Sequence, residues 1–159
     1  MDPRLNIYEN PVSLKFLKYI TASYKVFPVL PHPTVELVSL RISQINGCGF
    51  CADMHTKEAT RAGESAQRLH LVATWREATV FTEAERAALE FAEEGTRIAD
   101  AAGGVPDDVW ARAAKHYDED QLAALVSLVA FMNLVNRMNV ITQQPGGSYE
   151  HGWTRQFGG

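Results

Sequence analysis

Two cysteines stand three positions apart in Gly47-Cys48-Gly49-Phe50-Cys51, with His55 four residues beyond the second and Glu36 twelve before the first. On a helix, positions i, i+3 and i+7 share one stripe, so Cys48, Cys51 and His55 face the same way and an imidazole lies beside a thiol. A helix start favours thiolate through its unpaired N–H groups and its positive dipole end, and Cys-X-X-Cys pairs commonly hold one thiol of lowered pKa. The set suits reduction of a peroxide. That reaction needs a thiolate to attack the O–O bond, a proton for the departing oxygen, and a second thiol to resolve the sulfenic acid. His55 can hold or deliver the proton, and Glu36 can orient its ring or relay to solvent. The helix dipole favours Cys48 as nucleophile and proximity to His55 favours Cys51, so spacing alone does not choose between them.

Other chemistry is open to the same residues. The pair could exchange thiols with a disulfide without touching peroxides, or serve a redox-sensing or zinc-binding interaction module. Cys48, Cys51 and His55 would supply three zinc ligands, but no fourth is evident and no second Cys-X-X-Cys occurs. Buried thiols can also be small core hydrophobes. His32, His70, His116 and His151 have no partner at telling spacing and read as surface or capping residues.

The elements that must carry these groups read as helices nearly throughout, and no alternation of strand type appears. The expectation is an all-α, single-domain bundle of about six to seven helices over 1–159, with its core at about 35–140 and a tail at 141–159. Pro11-Val12-Ser13 opens a first helix to about Val26, and the prolines of the 27–33 stretch predict an extended connection. Thr34 should cap a second helix from Val35 to Ile45, stopped by Asn46-Gly47. The third runs from the cysteines to about Ala62 and ends at Gly63. Ser65 caps a fourth through Trp75, Thr82 and Glu85 form a capping box for a fifth reaching towards Ile98, and Pro106 begins a sixth to about His116. Asp118 and Gln121 box the last helix, apolar around most of its circumference and therefore buried in the domain or at a subunit contact. Trp75, Trp110, Phe131 and Met132 read as packing, Asn133 and Asn136 as hydrogen-bonding across a subunit contact. Tyr149, Trp153 and Phe157 could dock the tail on a partner subunit.

Composition narrows the function. The 159 residues carry a net charge of -4 and are 46% hydrophobic and 21% charged, as in an ordinary globular domain. Scattered basic residues predict no nucleic-acid partner. The first residues lack a secretory pattern and no apolar run approaches the roughly 18 residues of a membrane span, so a cytoplasmic protein with no membrane partner is expected. Two cysteines so close staple no fold; in a reducing compartment they suggest a redox couple or a metal site.

The register of Glu36, Cys48, Cys51 and His55 resembles the signature of the carboxymuconolactone decarboxylase superfamily, specifically its alkylhydroperoxidase D-like branch. Ile42 to Cys48, Asp53 to Ala59, Gly63-Glu64, Trp75 to Ala78 and Asn133 to Arg137 are similar as well, so the likeness spans about Val35 to Arg137. It implies an all-helical subunit in trimers or hexamers and a peroxidase acting on alkyl hydroperoxides or hydrogen peroxide. Cys51 would attack, Cys48 resolve, and His55 with Glu36 relay the proton. Electrons would come from a dithiol of lipoyl or thioredoxin type, with no metal, flavin or haem as cofactor. One departure stands out: members of the branch can carry a His immediately before the second cysteine, where this chain has Phe50.

Overall fold

The computed structural model describes residues 2–101 and 103–151; Trp153 and Phe157 lie outside them. Seven α-helices and two 3-10 segments form one all-α domain, with no strand among the described residues. The α-helices are α1 Pro11–Thr21, α2 His32–Ile45, α3 Gly49–Arg61, α4 Ala66–Leu71, α5 Glu83–Thr96, α6 Asp107–Ala113 and α7 Glu119–Thr142. The expected boundaries hold where side-chain caps set them. Ser65 accepts from Arg68 N, both capping boxes close, and Gly47 and Gly63 take the left-handed conformation that ends α2 and α3.

The 27–33 connection departs from the expectation. A 3-10 segment runs from Ala22 to Val29 with Pro28 inside it, and α2 begins at His32 with Pro33 in its first turn. Pro33 sits in the first turn, where no N–H is needed, and burial of Phe27 and Leu30 in the core rewards the tighter turn through Pro28. Pro31 rather than Thr34 is the N-cap residue, and Thr34 is buried. The expected fourth helix is split: α4 ends at Leu71, and a 3-10 segment, Val72–Glu77, follows, kinked at Thr74.

Helix α7 is the axis of the bundle, packed against α2, α3, α5 and the first 3-10 segment. By length and composition it could cross a membrane, contrary to the expectation that no run approaches that length. In the fold it fills the core with Leu125, Leu128 and Met132, and it turns three asparagines inward. Asn133 and Asn136 make hydrogen bonds within the chain. Both accept from Asn46 Nδ2, at 3.1 and 3.0 Å, and Asn136 donates to Ser43 Oγ at 3.3 Å. Tyr149 likewise docks on its own subunit, 6% exposed, its hydroxyl donating to Glu58.

Candidate active site

The polypeptide brings all four expected residues onto two adjoining helices. Gly47, at φ +66°, turns the chain sharply out of α2, and Cys48 becomes the N-cap residue of α3, its Sγ accepting from Cys51 N at 3.4 Å. Both cysteines are reduced and buried and approach within 3.0 Å of one another. His55 follows one turn after Cys51. Its Nδ1 meets Glu36 Oε2 at 2.9 Å, a pairing across the α2–α3 contact, while its Nε2 is buried with no hydrogen-bond partner.

The two thiols are electrostatically unequal. Donation from Cys51, the N–H groups of Cys51 and Phe50 and the Asn136 amide together outweigh burial and hold the Cys48 thiol below its ordinary value. Cys51 is pushed well above the ordinary range because it gives its proton towards Cys48 and lies in apolar surroundings beside that sulfur. Of the two sulfurs Cys48 is therefore the more acidic, with the S–H of Cys51 given towards it.

They also face different spaces. Cys51 lines an apolar cavity of about 40 Å³ walled by Tyr8, Tyr24, Phe50, Met54, Phe131 and Met138. Phe50 stacks on Tyr8 with ring centroids 5.2 Å apart and meets Tyr149 edge-on, so the residue between the cysteines builds the wall of that cavity. Cys48 instead borders a polar groove of about 170 Å³ with Gly47, Gly49, Asn139, Gln143 and Gln144. Glu36 opens onto a third space, of about 430 Å³, where His32 Nε2 stands 3.8 Å from its Oε1. His32 is thus not unpartnered, and its i, i+4 spacing from Glu36 was visible in the sequence.

Two contributors gave no sequence signal. Asn139 Nδ2 donates to Cys51 Sγ at 3.2 Å, and Tyr8 Oη donates to Asn139 Oδ1 at 2.7 Å. Their separation of 131 positions hides the contact, although an asparagine in an apolar helix marks a buried polar role.

The chain matches the carboxymuconolactone decarboxylase family over residues 15–94 and belongs to that family; its structural neighbours are of the AhpD-like branch. It is 36% identical over 141 residues to the uncharacterised protein YdfG of Bacillus subtilis, covering 88% of this chain and 94% of that one. Among solved structures it resembles a protein of unknown function from Agrobacterium tumefaciens, proposed as an antioxidant defence protein AhpD. That likeness has a TM-score of 0.84 at 32% identity, covering 93% of this chain and all (100%) of the other. The debrominase Bmp8 shares the fold at a TM-score of 0.72 and 19% identity, covering 87% and 73% of the two chains.

Proposed function

We propose that the protein is a thiol-dependent peroxidase that reduces hydrogen peroxide or a small alkyl hydroperoxide. The observation that carries this is the Cys48–Cys51 pair, reduced and in near contact, with Cys51 facing the apolar cavity and His55 held by Glu36 one turn on. The proton on Cys51 passes to Cys48, and the Cys51 thiolate attacks the nearer oxygen of the peroxide. The O–O bond breaks and the sulfur becomes a sulfenic acid. The departing alkoxide or hydroxide takes a proton delivered by His55 Nε2, the ring held through Nδ1 by Glu36; this is the proton that Cys48 gave up when the pair ionised. Cys48 then attacks the sulfenic sulfur, forming the disulfide and releasing water, so two thiols and one peroxide yield a disulfide, an alcohol and water.

The cavity volume bears on the substrate. A space of about 40 Å³ holds roughly three waters and suits a molecule of two oxygens. A dithiol of lipoyl or thioredoxin type regenerates the pair, entering at the groove beside Cys48. A cycle of this kind fits a reducing, cytoplasmic setting.

Peroxide consumption with dihydrolipoamide or thioredoxin as reductant tests the reading. Wild type turns over and Cys51→Ala loses turnover by at least about 100-fold, the scale of losing a covalent nucleophile. Full retention in Cys51→Ala overturns the assignment. Reduction of a test disulfide without any peroxide turnover replaces it with a thiol-disulfide exchanger, and bound zinc near one per chain replaces it with a metal-binding module.

A further inference from the structure

Helix α7 carries Asn133, Asn136 and Asn139 at i, i+3 and i+6, all buried on one side of an otherwise apolar helix. A buried amide costs free energy unless its donors and acceptors are used. Asn133 uses its amide on Asn46 and Thr96, Asn136 divides its own among Asn46, Ser43 and the cysteine sulfurs, and Asn139 has spent its donor on Cys51 alone. Its Oδ1 is occupied by the Tyr8 hydroxyl, and this fixes which way the amide points. With the carbonyl side held by Tyr8 Oη at 2.7 Å, the N–H side must face Cys51 Sγ, 3.2 Å away. A carboxamide turned the other way would offer an acceptor to the sulfur and repel a thiolate. Tyr8 itself is steadied by its stacking on Phe50, the residue just before Cys51.

We propose that Asn139 is a catalytic residue whose amide N–H stabilises negative charge on Cys51 Sγ during attack, and that Tyr8 is a positioning residue that holds the amide in that orientation. The inference rests on Cys51 as the attacking thiol. It accounts for how a sulfur in an apolar cavity can become charged when its proton passes to Cys48. The sum of charge over the two sulfurs is unchanged in that transfer, but the site of the charge moves into apolar surroundings. A preoriented N–H at that position offsets the move because it needs no reorganisation. The titratable groups facing Cys51 are Cys48 at the start of its own helix and the phenols of Tyr8 and Tyr24 from the N-terminal segment and the first 3-10 segment, while His55, one turn on, is turned to Glu36. Burial pushes both phenols above their ordinary values, which keeps them neutral donors.

The test measures the pH midpoint for alkylation of Cys51 by iodoacetamide in a Cys48→Ala background. Asn139→Leu raises that midpoint by about one to two units, the scale of one hydrogen bond to a charged group. Tyr8→Phe, which deletes a single oxygen, raises it by about half as much, and the double variant goes no higher than Asn139→Leu alone. Asn139→Asp keeps the shape and raises it as well, so the measurement survives if the leucine variant does not fold. A midpoint unmoved in both Tyr8→Phe and Asn139→Asp overturns the proposal. If the midpoints move while wild type consumes no peroxide, the roles of Asn139 and Tyr8 stand and the peroxidase reading falls.

Discussion

Cys48 owes its lowered pKa first to its neighbour. The S–H of Cys51, the N–H groups at the start of α3 and the Asn136 amide all stabilise a thiolate there, so removing the largest contributor should be visible. In Cys51→Ala the alkylation midpoint of Cys48 rises by about one unit, as read by iodoacetamide labelling against pH. Glu93 is the corresponding buried charge of the framework. It is 4% exposed and accepts from Trp75 Nε1 at 3.0 Å and from the guanidinium groups of Arg41 and Arg76. Burial pushes its carboxyl up, but these donors outweigh burial and hold it below the ordinary value. A carboxyl lowered on folding contributes stability above its unfolded pKa of about 4.3 and loses it as pH falls through the lower folded value. Glu93→Gln therefore lowers stability at neutral pH by about 3 kcal/mol, leaving two arginines without their partner, and flattens the acid limb of the urea midpoint against pH.

At the scale of elements, the chain after α7 is strapped across α3. Asp53 Oδ2 accepts from Gly147 N at 2.8 Å and Tyr149 N at 3.1 Å, and Lys57 Nζ donates to the Gly147 and Tyr149 carbonyls. Gly146 crosses α3 so closely that a Cβ would stand 2.5 Å from Gly49 O. The strap lies over the turn that carries both cysteines and places Tyr149 against Phe50. Gly146→Ala should lift it, with faster cleavage after residue 144 in limited proteolysis and a stability loss of about 1–3 kcal/mol. Unchanged cleavage would mean that the contacts of Asp53, Lys57 and Glu58 hold the tail without the close approach of Gly146.

Across the whole molecule, α1 presents Val12, Phe16 and Tyr19, at 78%, 45% and 70% exposure, along one i, i+4, i+7 stripe. If the chain forms the expected trimer or hexamer, this stripe is a face for it to bury. Phe16→Glu should shift the mass seen by light scattering towards the single subunit and leave the helical circular dichroism intact. A mass equal to one subunit for wild type itself would remove the homo-oligomer from the picture.

The helical class, the caps at Ser65, Thr82 and Asp118, the glycine stops and the four-residue register of Glu36, Cys48, Cys51 and His55 were all legible in the sequence, because each depends on residues within a turn or two. The 3-10 passage through Pro28 was not, since long-range burial of Phe27 and Leu30 outweighed the local preference of proline for an extended chain. Nor could spacing separate the two sulfurs. That distinction arises where residues 8, 51 and 139 meet, and where α3 turns Cys51 towards an apolar cavity and Cys48 towards a polar groove. Sequence alone determined which atoms could do redox chemistry; the tertiary structure decided where charge rests among them, because burial and hydrogen-bond orientation come from contacts between segments far apart in the chain.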